Sequence, residues 1–133
     1  MLGEQIGEDK GKVTGRRVLT VDGTPKMETS FETGGKLLGV AARTFGTYWS
    51  ELRGDGSLYG EGQGVTMGED GSTMTWKASG RGMFQKNGGI NFRGAVYYQS
   101  TSAKWTRLNS IAVVYEHDID AEGGTTGKVW EWK

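Results

Sequence analysis

The sequence predicts an all-β protein, a closed eight-stranded antiparallel up-and-down (meander) barrel. Three observations carry this expectation. Turn pairs recur at fairly even spacing along the 133 residues. Between them apolar and polar residues alternate with a period of two, the period that sends successive side chains to opposite faces of a strand. Glycine supplies 24 residues, more than twice its usual share of about 7%. Nearly every stretch is thereby interrupted by a residue that costs a helix about 1 kcal/mol relative to alanine.

The turn pairs set the elements in order. They are Asp22-Gly23, Gly34-Gly35, Asp55-Gly56, Asp70-Gly71, Asn87-Gly88, Ser102-Ala103 and Gly123-Gly124. The Asp-Gly, Asn-Gly and Gly-Gly pairs tolerate the positive φ angles of tight hairpin turns. Seven turns bound eight strands, expected near 12–20, 26–33, 36–52, 57–67, 72–86, 89–101, 105–119 and 126–132. The first two are delimited by their turns. In 36–52 and 57–67 both faces are mixed, so parity leaves open which face is inside. In 72–86 the even positions read Met74, Trp76, Ala78, Gly80, Gly82, Phe84, against mostly polar odd positions. In 89–101, Ile90, Phe92, Gly94, Val96 and Tyr98 oppose Asn91, Arg93, Ala95, Tyr97 and Gln99. Ile111, Val113 and Tyr115 then alternate with Ala112, Val114 and Glu116. A short turn near the N-terminus is the only other local structure expected. With every connection short, a closed meander is favoured over a Greek-key sandwich, and closure removes exposed strand edges.

Composition excludes several classes of function. The length is that of one domain, residues 1–133. Sixteen Lys and Arg balance sixteen Asp and Glu, so no global field favours nucleic acid or an anionic membrane, and neither partner is expected. The absence of Cys removes disulfides and thiolate chemistry and fits a cytoplasmic protein. The first ten residues lack the pattern of a secretory signal, and no run of about 18 apolar residues occurs. Five Trp, five Tyr and four Phe argue for a packed core. One His rules out a multi-His metal site, and no cofactor or metal is expected.

Glycines recur in columns. Gly60, Gly62 and Gly64 share one strand face, Gly80 and Gly82 the next, and Gly94 a third. Such glycines curve a sheet, or let backbone or ligand approach closely. An inward column either leaves room for a small ligand or is filled by neighbours such as Trp76 and Phe84. The Gly60–Gly64 strand, the Trp76–Phe84 segment and the Gly94-Ala95-Val96-Tyr97 strand together resemble a group of small bacterial barrels of unknown function with the allene oxide cyclase-like fold. The resemblance covers roughly residues 10–132. It implies a closed barrel, often a homo-oligomer (dimer or trimer), whose interior holds a hydrophobic ligand in the cyclase itself. It maps no catalytic motif onto this chain.

The ligand-binding candidates are Arg43, Glu61, Trp76, Tyr98 and His117. His117 would titrate in the physiological range, with Glu116 or Asp118 able to raise its pKa, and its place late in a strand suggests a barrel mouth. Arg43, Glu61, Arg81 and Arg93 lie mid-strand. Inside they would mark a polar site, and outside they are solvated strand charges, with Glu61 and Arg81 a candidate cross-strand pair; the outer surface is favoured. Trp76 and Tyr98 stand on apolar faces. Of Tyr48 and Trp49, and of Tyr97 and Tyr98, one member each must face out, as at a subunit interface. Asp118 to Gly123 resembles the first half of an EF-hand loop, but position twelve is Val129 where a bidentate Glu is required, and a solvated acidic turn is expected. Three functions fit: a barrel binding a small apolar ligand, an isomerase or cyclase of the allene oxide cyclase type, or an oligomerising protein with a filled core. A binding barrel is expected to hold a cavity of about 300 Å³ or more.

Overall fold

The computed structural model describes residues 1–133. Eight strands, β1 (Leu2–Thr20), β2 (Lys26–Leu37), β3 (Val40–Leu52), β4 (Leu58–Gly68), β5 (Thr73–Phe84), β6 (Ile90–Gln99), β7 (Ala112–Ile119) and β8 (Gly124–Trp132), follow one another around a closed antiparallel barrel. β8 returns to β1 and leaves no edge. No helix is long and apolar enough to cross a membrane.

Closure explains the first departure from the sequence reading. β1 begins at Leu2 and not near residue 12, and no turn forms at the N-terminus. Residues Leu2 to Lys12 pair with β8, while Gly7 to Thr20 pair with β2. The N-terminal stretch is thus the strip that closes the barrel. Register shifts at Gln5/Gly7 and Val13/Gly15 bend it, as bulges do in strongly coiled strands.

The second departure concerns Gly34-Gly35. These residues are not a turn. Both lie inside β2, opposite Arg43 and Ala42 of β3. A Cβ on Gly35 would run into the backbone of Glu8 and Asp9, so close approach of two backbones requires glycine there. The turn is Leu38-Gly39, with φ of 47° and 77°, the paired positive angles of a tight hairpin.

The third departure is the β6–β7 connection. Residues 105–111 were expected in a strand after a Ser102-Ala103 turn. They instead form a long connection with a 3-10 turn at Thr106–Ser110, so one connection of this meander is not short. This segment plugs one end of the barrel. Trp105 and Leu108 have no exposed area and pack with Ile6, Leu37, Val40 and Met74. The indole Nε1 of Trp105 donates to the Leu37 carbonyl at 3.0 Å. Asn109 clamps the loop by accepting from the Ser100 amide at 2.7 Å and donating to its carbonyl at 2.8 Å. A smaller cluster of Leu58, Phe92 and Ile119 lies toward the opposite end. The cavity described next lies among these layers.

Candidate functional site

The open question of parity resolves in favour of the glycine columns pointing inward. Gly60, Gly80 and Gly94 form one row across β4, β5 and β6, continued by Tyr115 of β7. Their missing side chains are seats for aromatic rings. A Cβ on Gly80 would collide with the Tyr115 hydroxyl, and one on Gly82 would stand 2.8 Å from the Phe92 ring. Gly46 and Gly64, paired across β3 and β4, accommodate the Trp76 ring. Both sequence alternatives are therefore realised in part: rings occupy the columns, and space remains beside them. Phe84 takes no part, being 56% exposed at the end of β5.

The remaining space is a cavity of about 140 Å³. This is about half of the 300 Å³ expected of a binding barrel, so that expectation is not met, and it is near the 150 Å³ that admits benzene in an apolar core. Phe31, Tyr48, Trp76 and Phe92 give it aromatic walls, while Val96 and Val129 add aliphatic surface. Phe31 and Trp76 lie 6.2 Å apart and nearly stacked, and Tyr48 meets Phe92 edge-on at 5.4 Å.

Polar groups break this lining on one side. His117 faces inward between Tyr115 and Ile119, deeper than a mouth position. Its ring packs 4.8 Å from Phe31 and 6.2 Å from Tyr48. Its Nε2 is buried without a hydrogen-bond partner. Burial drives its pKa down to about 4, and the Asp118 carboxylate opposes this more weakly. The upward pull that the sequence allowed from a neighbouring carboxylate is present but outweighed. Asp118 points outward and is held by Arg93 at 2.6 Å, so desolvation of the imidazolium wins.

Asp9 also lines the cavity. Thr33 Oγ1 donates to its Oδ2 at 2.8 Å, while Oδ1 has no partner. Burial raises its pKa, with the Thr33 bond opposing. Three tyrosines face the same space. Burial raises the pKa of Tyr48, pushes Tyr115 up to about 12, and lifts that of Tyr98, to which the nearby Asp9 charge adds. All three are neutral phenols at pH 7, able to donate or accept a hydrogen bond.

Of the five sequence candidates the barrel brings Trp76, Tyr98 and His117 together around the cavity. It turns the side chains of Arg43 and Glu61 outward, because their alternating neighbours Ala42, Thr44, Gly60 and Gly62 are the inward residues of β3 and β4. Arg43 stands over the Phe45 ring, 5.3 Å from its centroid, and meets Glu32 at 4.0 Å. Glu61 accepts from Tyr59 Oη at 2.8 Å. It does not pair with Arg81, which instead donates to Ser57 Oγ at 2.8 Å and meets Asp55 at 3.5 Å. Tyr97 and Trp49 are the outward members of their pairs, Trp49 packing edge-on against Tyr59. Asp120 caps the β7–β8 turn by accepting the Glu122 and Gly124 amides. No group of three His, Asp or Glu side chains is placed to hold a metal ion. Sequence reasoning missed Asp9 and Thr33. The alternation Gly7, Asp9, Gly11, Val13 was the signal, since it puts a carboxylate on a face otherwise made of glycine and valine.

Comparison with known proteins extends the fold and nothing finer. No family model matches the sequence, and no curated protein does. A conserved protein of unknown function from Rhodopseudomonas palustris superposes with a TM-score of 0.84 at 14% identity, over 98% of this chain and 97% of that one. A protein of unknown function from Clostridium acetobutylicum gives 0.84 at 12%, over 96% of each. A β-barrel-like protein from Acinetobacter baumannii gives 0.82 at 12%, over 100% and 96%. The likeness is one of fold. This chain is a β-barrel of the kind found in bacterial proteins of unknown function.

Proposed function

We propose that the barrel binds a small, largely apolar ligand in its interior, of about the size of one aromatic ring. The observation that carries this reading is the 140 Å³ cavity between Phe31, Tyr48, Trp76 and Phe92. Protein interiors are otherwise packed with few voids larger than a water molecule. A sequence selected only for stability would close such a space with larger side chains. The resemblance to allene oxide cyclase-like barrels supports an interior ligand as well.

A second reading is isomerase or cyclase chemistry in the same cavity. The neutral His117 imidazole favours it, because an unpartnered ring nitrogen beside bound ligand can accept a proton. Outward Tyr97 and Trp132, 58% and 55% exposed, support the further proposal of a homo-oligomer.

Native mass spectrometry of protein purified from its own host tests the reading. The expected result is a stoichiometric small molecule that leaves on denaturation, and the same spectrum gives the subunit number. A bare polypeptide that also takes up neither benzene nor toluene would contradict it.

A further inference from the structure

Three buried polar side-chain atoms in the molecule have no hydrogen-bond partner: Asp9 Oδ1, His117 Nε2 and Thr125 Oγ1. They are not scattered. Gly127 of β8 pairs with Asp9 on one side and with His117 on the other. Thr125 lies one inward position along β8, pairing with Gly11 and Ile119. All three therefore fall on one patch of wall, three strands wide and two register steps high. Buried polar groups in folded proteins are nearly always paired, and an unpaired one costs roughly 1–3 kcal/mol. Three such atoms in one patch, two of them on residues lining a cavity, need a common explanation.

We propose that this patch is a polar subsite for the head group of the ligand, and that the head group is a cis-amide or lactam, with an N–H donor and a carbonyl acceptor side by side. The inference rests on the interior-ligand reading above and names the chemistry that reading leaves open.

Gly127 lies between Asp9 and His117, in register with both. With no side chain of its own, it lets the Asp9 carboxyl lean over it, and a Cβ there would strike Oδ1. The Asp9 and His117 backbones stand two strand spacings apart, about 10 Å. Both side chains project inward from that separation. A small planar group lying over Gly127 would stand between the two side chains, within reach of one hydrogen bond of about 2.9 Å to each.

Thr33 already donates to Asp9 Oδ2, so Oδ1 is the atom offered to a ligand. If the carboxyl is ionised, Oδ1 accepts, and the Nε2–H tautomer of neutral His117 donates. If the carboxyl is protonated, Oδ1 donates, and the other tautomer of His117 accepts at Nε2. Either arrangement presents one donor and one acceptor. An amide edge, N–H beside C=O, satisfies both arrangements by reversing its orientation. A purely apolar ring satisfies neither, and a carboxylate would meet Asp9 with like charge in a desolvated site. The aromatic walls opposite then take the ring that carries the amide.

The test uses two probes of one-ring size, 2-pyridone and benzene, titrated into the whole protein by calorimetry and by backbone amide shifts. The wild type is expected to bind 2-pyridone at least tenfold more tightly than benzene. His117→Phe keeps a ring of similar size and removes Nε2. It is expected to reduce the preference at least fivefold while benzene affinity changes less than threefold. Gly127→Ala displaces the Asp9 carboxyl without touching His117 and is expected to reduce the preference likewise, so it decides the matter if His117→Phe does not fold. Benzene bound as tightly as 2-pyridone, or a preference unchanged in the folded variants, would overturn the subsite and leave the cavity reading standing. Binding of neither probe to the wild type would overturn both.

Discussion

The two ends of the interior solve the same packing problem in opposite ways. At the plugged end, Trp105, Leu108 and Val113 are fully buried, and the one polar group among them, the Trp105 indole, has its carbonyl partner. On the β7–β8–β1 wall, Asp9, His117 and Thr125 leave buried polar atoms unpaired, the first two of them beside a cavity. The first arrangement is what stability alone selects. The second sacrifices stability locally, as binding and catalytic sites commonly do. The contrast teaches where to look for function in a barrel without a recognised motif: at the wall where the packing and pairing rules fail together.

The largest expected effect lies at the plug. Trp105→Ala removes a fully buried indole and its hydrogen bond, and should destabilise by about 3–5 kcal/mol. The urea midpoint measures it. A loss under about 1 kcal/mol would mean that the plug is not the stabilising half.

The next effect belongs to the polar wall and is seen with pH. An unfolded chain protonates His117 near 6.5, and the folded chain only near 4. Between those values the unfolded state holds more protons, so this contribution to stability is present above pH 6.5 and lost as pH falls toward 4. At about 1.4 kcal/mol per pH unit, the loss is at most about 3 kcal/mol. Asp9 works the other way. Its folded pKa is raised above 3.8, so its contribution is present below pH 3.8 and lost as pH rises through the folded value. Urea midpoints at pH 7 and pH 4 should fall less steeply in His117→Phe than in the wild type, and more steeply in Asp9→Asn. Parallel curves for all three proteins would remove the buried-imidazole account.

Much of the barrel was legible in the sequence, and the reasons are local. Asp55-Gly56, Asp70-Gly71 and Asn87-Gly88 are turn pairs whose glycines do adopt positive φ, and the alternation from Met74 to Phe84 fixed a face. Where two local meanings compete, the reading failed. Gly34-Gly35 satisfies either a tight turn or a close backbone approach, while the true turn uses Leu38, a bulky residue that seldom takes positive φ. The plug failed for a different reason. Ile111, Val113 and Tyr115 alternate as a strand does, and nothing in Trp105 to Ser110 announces a 3-10 turn held by a carbonyl 68 residues away. The site was half legible. Trp76, Tyr98 and His117 lie on alternating apolar segments. Asp9 lies in a segment poor in β-branched residues, whose strand character comes from pairing with β2 on one side and with β8, at the far end of the chain, on the other.

Two smaller effects sharpen the comparison. Thr125→Val exchanges an unpaired buried hydroxyl for a methyl of the same shape. It should stabilise by about 1 kcal/mol, whereas truncation at the plug can only destabilise. A destabilised Thr125→Val would show that the hydroxyl has a partner in solution. Arg43→Ala and Glu61→Ala, on the outer face, should each shift stability by less than about 0.5 kcal/mol and leave benzene binding unchanged. A change in binding would bring those residues back into the site.

The central claim is that the barrel interior is accessible to a small molecule at the aromatic and polar wall and closed at the plug. Diffraction from a crystal under xenon pressure tests this most directly, since xenon enters apolar cavities of this size. The account predicts one internal xenon among Phe31, Trp76 and Phe92, and none among Trp105, Leu108 and Val40. No internal xenon, or xenon at the plug alone, would contradict it.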